Sequence, residues 1–165
     1  MNIKSLIKHL FLPHRFLVRD FSKENLQAIE LKIKECEKSH SSQIVFAYQA
    51  HKKLIDVLKN TPSRELAMKQ FARLGVWDTE ANSGILFYLL LADHSLEIIA
   101  DRGISKAIPQ EEWNKISDKI GELLKTLPMN EAVIKGIELI SEKVGTVVPR
   151  EAESKNELSD KPIKL

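Results

Sequence analysis

A chain of 165 residues, 43% of them hydrophobic, with 25 Lys plus Arg against 23 Asp plus Glu, has the composition of one soluble globular domain. At this length about 70% of the unfolded chain's surface can be buried, so no disulfide or structural metal is required for a core. The single Cys36 excludes a zinc ribbon, a paired-thiol redox motif and a Cys/His cluster, and a net charge of +2 offers no electrostatic funnel for nucleic acid.

Residues 1–19 carry Lys4, Lys8, Arg15 and Arg19 with no acid. Leu6, Leu10 and Phe11 fall on one helical face with Lys4 and Lys8 beside them, the pattern of a helix that lies on an anionic membrane surface or against a partner such as a membrane protein. Docking on its own domain is the alternative for this basic arm. The stretch lacks a small-residue cleavage site and is broken by Lys8 and His9, so it does not read as a signal peptide. The longest apolar run, Ile85 to Ala92, is eight residues against the roughly 20 needed to span a bilayer. The expected location is the cytoplasm, with peripheral attachment to the membrane through the arm.

Residues 20–149 form the expected domain. Ser22 caps a helix over about 22–39, whose Leu26, Ile29, Ile33 and Cys36 make one apolar face. Gln43 to Tyr48 is rich in β-branched and aromatic residues and reads as a strand. Thr61-Pro62 opens a second helix that ends at Gly75. The segment Gly84 to Leu91 shows no polar alternation, as expected of a central strand covered on both faces. Asp93-His94 turns the chain into a strand over Leu96 to Ala100, too close behind for a crossover, so the two strands form an antiparallel hairpin. Trp113, Ile116, Ile120, Leu123 and Leu127 space a third helix beginning near Pro109. Asn130 caps a fourth that runs towards Pro149. This order gives an α/β fold, a mixed β-sheet sandwiched between α-helices. The tail 150–165, with four bases, four acids and few apolar residues, is expected to be disordered.

The segment Arg64-Glu-Leu-Ala-Met-Lys-Gln-Phe-Ala-Arg-Leu-Gly-Val-Trp-Asp-Thr-Glu-Ala-Asn-Ser-Gly-Ile-Leu-Phe-Tyr-Leu-Leu-Leu-Ala-Asp93, followed by Glu97-Ile-Ile-Ala-Asp-Arg-Gly103, resembles the TPM-domain family. That family takes its name from thylakoid-lumen and photosystem-associated proteins and a levamisole-receptor accessory protein; the likeness is to its short bacterial cytoplasmic-type members. It extends to His9-Leu-Phe-Leu-Pro-His14, Trp113 and Gly136-Ile137 and covers about residues 9–149. It implies an α/β sandwich and, for function, a choice. Members have been linked to calcium binding, acid phosphatase activity in plants, photosystem repair and receptor assembly. The family's usual pair of Asn before the glycine is Asn82-Ser83 here, and its usual Glu in the first strand is Gln43.

The best polar constellation joins the loop before the central strand to the end of the hairpin. Antiparallel pairing sets the start of one strand beside the end of the other, so Asp78, Glu80, Asn82 and Asp101 are expected at one sheet edge. Such hard oxygen ligands suit Ca²⁺ or Mg²⁺. The alternative is turn chemistry, with Asp101 or Glu80 pairing with Arg102 or Arg73. An EF-hand fails on spacing, because counting from Asp78 puts Gly84 at position seven and Leu89 where the bidentate Glu belongs. Ser83 is not in a Gly-x-Ser-x-Gly elbow, the histidines lack an i, i+4 partner for zinc, and no phosphate-binding glycine loop occurs. Two functions follow: a non-catalytic accessory or binding module acting through a protein partner or the membrane surface, or a divalent-metal-dependent phosphatase using the acidic loop cluster.

Overall fold

A computed structural model describes residues 20–150 and 155–165. The basic arm, with Lys4, Leu6, Lys8, Leu10 and Phe11, lies outside the described residues. Helix α1 (Lys23–Cys36) starts where Ser22 Oγ accepts the Asn25 amide at 3.3 Å, as a polar N-cap should. Strand β1 (Gln43–Gln49) leads into a short helix α2 (Leu54–Leu58) and then α3 (Ser63–Arg73). Strand β2 (Gly84–Leu90) ends in a single 3-10 turn over Leu91–Asp93. His94, at φ 49°, reverses the chain into β3 (Ser95–Ala100). Helices α4 (Arg102–Ala107), α5 (Gln110–Thr126) and α6 (Met129–Gly145) follow, and β4 (Ile163–Lys164) closes the order.

The sheet order is β3-β2-β1-β4. Strands β1 and β2 are parallel, joined by a crossover through α2 and α3, with Gln43 opposite Gly84. Strands β2 and β3 form the antiparallel hairpin, with Ile85 opposite Ala100. The sheet is therefore mixed, as the spacing of the apolar runs required.

Every residue of β1 and β2 is buried, so successive side chains feed two separate cores. On one face Ile44, Phe46, Ile85, Phe87 and Ile98 meet Ile29 and Ile33 of α1, Trp113 and Ile120 of α5, and Val133, Ile137 and Ile140 of α6. The rings of Phe46 and Phe87 pack edge to face at 5.3 Å, and Phe21 stacks on Tyr48 at 4.3 Å. On the other face Val45, Ala47, Leu86, Tyr88 and Leu90 meet Leu66 and Ala67 of α3, with Phe71 and Leu74 at the margin. Phe87 and Tyr88 are both 0% exposed on opposite faces, which is what an unalternated central strand demands.

The structure corrects one expectation outright. Residues 155–165 were expected to be disordered on composition, yet they lie across the sheet's outer edge. Ile163 pairs with Ala47 and Lys164 with Tyr48, both parallel, and the Leu165 amide donates to Tyr48 O at 3.0 Å. Leu158, Ile163 and Leu165 pack against the second core. Three apolar side chains and an unpaired strand edge are enough to hold a segment whose average composition is polar.

Truncating a central side chain of the first core should be costly. Phe87→Ala removes a fully buried ring, and urea unfolding should show a loss of about 3–5 kcal/mol with an unchanged m-value.

Candidate functional site

One end of the sheet, where β1 and β2 begin and β3 stops, is a polar mouth. Three connections meet there: the turn 37–42 after α1, the loop 78–83 before β2, and Asp101 before α4. The Asp101 amide donates to Gly84 O at 2.9 Å and the Gln43 amide to Ser83 O at 3.2 Å, which fixes the three chain segments side by side. Within the loop, the Ser83 amide donates to Thr79 Oγ1 at 2.9 Å, and Asn82 adopts φ 50° to turn the chain back into the strand.

Asn82 and Asp101 are brought together, and both are occupied with structure. Asn82 Oδ1 accepts from Arg102 Nε at 2.6 Å, while its carbonyl oxygen accepts the Gly103 amide at 3.0 Å. Asp101 is buried and caps α4, its Oδ1 accepting the Arg102 amide at 2.7 Å. Its other oxygen, Oδ2, is buried without a hydrogen-bond partner. Asp78 and Glu80 are exposed. The Asp78 amide donates to Gly75 O at 2.9 Å, and the Glu80 amide donates to the Glu157 carboxylate at 3.1 and 3.3 Å. Among the described residues no group of three or more His, Cys, Asp or Glu side chains is gathered as a metal site would need. The guanidinium on Asn82 also sets a positive charge where a cation would have to sit.

Glycines 84 and 103 matter here for space alone. Neither has a positive φ, but a Cβ at Gly84 would lie 1.9 Å from Val76 O, and one at Gly103 would lie 2.6 Å from Asn82 O. Main chain approaches main chain at both positions, and only hydrogen fits between.

Two groups at the mouth have roles that the sequence alone does not reveal. Gln43 holds the tail through its main chain: Nε2 donates to Lys155 O at 2.6 Å, while Oε1 accepts the Glu157 and Leu158 amides at 2.9 and 2.6 Å. A carboxamide has both a donor and an acceptor to offer, whereas a carboxylate has only acceptors, so the Gln in place of the family's usual Glu suits this task. His40 is completely buried. Its Nδ1 lies 2.9 Å from Ser42 O and must donate there, which leaves Nε2 to accept from Ser141 Oγ at 3.0 Å. Burial depresses its pKa and keeps the ring neutral. The pair resembles a Ser–His dyad, but with His40 at 0% exposure no substrate reaches it, and its effect is to tie the turn after α1 to α6. Neither role announces itself in sequence, because Ser141 and the tail main chain lie about a hundred residues from His40 and Gln43.

Elsewhere, α5 and α6 enclose an open groove of about 570 Å³, floored by Leu123 and Leu139 and rimmed by charged side chains that include Lys119, Glu122 and Glu138. No described helix is long and apolar enough to cross a membrane.

With the fold in hand, a comparison with protein families is decisive: the TPM domain matches residues 19–143. The chain belongs to the TPM-domain family. Among solved structures, this TPM domain is similar to the NMR structure of BA42 protein from the psychrophilic bacterium Bizionia argentinensis, with a TM-score of 0.77, 22% sequence identity, and coverage of 87% of this chain and 94% of that one. At that identity the likeness establishes the fold alone. No curated protein matches the chain.

The close approach at Gly103 gives a direct check on the mouth's geometry. Gly103→Ala should force the 81–83 loop away from α4 and cost about 1–3 kcal/mol in thermal or chemical unfolding. A neutral result would mean that the loop and α4 are not in contact.

Proposed function

We propose that this TPM domain is a non-catalytic accessory or binding module that docks on an anionic membrane surface. The observation that carries the reading is α2. Leu54, Ile55 and Leu58 are 55%, 53% and 48% exposed, a concentration of large apolar side chains in a five-residue helix with no buried member. Lys53 and Lys59 flank them and are exposed, while Lys52 is paired with Asp93 at 2.9 Å. Apolar residues projecting between lysines match an interface with hydrocarbon below and phosphate above. Each lysine near an anionic leaflet contributes about 1 kcal/mol, so the association is weak and reversible unless the basic segment 1–19 adds to it.

Sedimentation with phosphatidylserine-containing vesicles tests this. Binding is expected at low salt, weakening as ionic strength rises, because exposed charges are screened beyond about 8–10 Å. Leu54→Ser with Ile55→Ser should reduce the bound fraction several-fold and leave the melting temperature nearly unchanged. If the protein stays in the supernatant at every salt concentration, the membrane reading fails and a protein partner becomes the candidate for this face.

A second reading, a divalent-metal-dependent phosphatase, is favoured by one observation, the unpartnered buried Oδ2 of Asp101. A cation there would have Asp101 as its only charged ligand in place, since Asn82 Oδ1 faces Arg102. On the favoured reading, millimolar Ca²⁺ or Mg²⁺ leaves the melting temperature unchanged. A rise of several degrees that Asp101→Asn abolishes would establish the second reading in its place.

A further inference from the structure

The outer side of the helical layer formed by α1, α6 and α5 carries an open channel. The groove of about 570 Å³ between α5 and α6 is continued by a second depression of about 510 Å³, with Lys119, Leu139 and Glu142 lining both. Leu123 and Leu139 floor it, half-buried, and Leu139 rests on the first core beneath. The rim is acidic. Asp118 and Glu122 stand one turn apart on α5, Glu138 and Glu142 one turn apart on α6, and all four are exposed. Lys119 and Lys135 are the opposing bases, since Lys115 and Lys143 are both held by Glu112, at 2.6 and 2.7 Å. An apolar floor between charged walls is the receiving half of a helix-in-groove contact.

Chain direction brings an occupant to one end of this channel. Helix α6 packs against both α1 and α5. It runs parallel to α1, as Lys32 meets Glu138 at 3.0 Å and the Ser141 hydroxyl donates to Cys36 O at 3.5 Å. It runs antiparallel to α5, which is joined to it through Leu127 and Pro128 alone and tied to it by the Lys143–Glu112 pair. Asp20, the first described residue, therefore emerges beside the N-terminal end of α6, the same end at which α5 stops at Thr126. Packed helices lie 8–10 Å apart, so roughly 15 Å separates the start of α1 from the channel. Residues 12–19 reach up to about 26 Å when extended, enough to bridge that gap.

The sequence ahead of Asp20 supplies the matching half. Ile3, Leu6, Ile7, Leu10 and Phe11 recur at helical spacing and make one apolar stripe, with Lys4 and Lys8 together on one flank of it. We propose that the channel between α5 and α6 is the docking site of this chain's own residues 1–11, laid in as an amphipathic helix with the stripe on Leu123 and Leu139.

Residues 12–19 have to lead back to Asp20, so Phe11 lies towards Thr126 and the segment runs parallel to α5. Eleven residues of helix are about 16 Å long, well within the roughly 25 Å of α5. Lys4 and Lys8, one turn apart, meet a carboxylate at each step along either wall, and residues 1–19 carry no acid to repel them from it. The contact does not rest on the membrane reading of α2. While it holds, Lys4, Lys8 and the stripe are withheld from any outside surface.

Methyl NMR of the full chain at low salt tests this. NOEs between the Phe11 ring and the Leu123 and Leu139 methyls are expected. Leu6→Ser with Leu10→Ser should abolish them and shift both groove methyls, with the Leu86 methyls in the core unmoved. Lys4→Glu with Lys8→Glu should lower the docked fraction several-fold, and the gap to the wild type should narrow as added salt screens the rim. Missing NOEs, or groove methyls that ignore the serine pair, would overturn the inference. So would NOEs found only between chains in a mixed labelled and unlabelled sample, which would make the occupant a second copy. An arm that contacts phosphatidylserine vesicles but gives no NOE to the groove in their absence would assign it to the membrane and overturn the inference as well.

Discussion

Strand β2 has no face that water can wet, and most of the architecture is a response to that. Seven consecutive buried residues alternate between two cores, so the sheet must be covered on both sides, by α1, α5 and α6 on one and by α3 with the 155–165 segment on the other. The partner β1 is buried along its whole length as well, and its parallel pairing with β2 forces the connection to cross over one face through α2 and α3. The hairpin to β3 needs no such crossover and places Asp101 back at the start of β2.

That layout was largely written in the sequence, since the long helices and the fully buried strands leave a pattern to read. The 3.6-residue spacing of Ile29, Ile33 and of Trp113, Ile116, Ile120 placed α1 and α5, and the lack of alternation in 84–91 placed β2 at the centre. The short elements left no such trace. Helix α2 spans five residues and α4 six, too few to show a period, and the N-cap of α6 is Pro128, two residues ahead of Asn130, which lies inside the helix and does not cap it. The tail was misjudged because composition averages over 16 residues. Its docking rests on Leu158, Ile163 and Leu165, each of which has meaning only beside a strand that starts over a hundred residues earlier.

The mouth was half legible. Strand pairing correctly brought Asn82 and Asp101 to one end of the sheet, but it says nothing of where side chains point. Arg102, exposed and adjacent to Asp101 in sequence, swings its guanidinium to Asn82 and converts an apparent ligand set into a loop clamp. Gln43 was visible only as a departure from a family pattern. Its use as a two-sided reader of tail backbone follows from the amide's chemistry once the tail is seen beside it. The hydrogen bonds of Arg102, Asn82 and Asp101 at this end of the sheet position chain segments, and α2 is one of the places where large apolar side chains stay exposed.

With both cores built on it, β2 should be the last element to open. Native-state hydrogen exchange of the Leu86–Leu89 amides, compared with the unfolding free energy from urea denaturation, measures this directly. Those amides should exchange only through global unfolding, with opening free energies equal to the denaturation value and rising denaturant dependence of the same slope. Exchange through a smaller, local opening while α1, α5 and α6 remain protected would contradict the claim that the two cores are built on this strand.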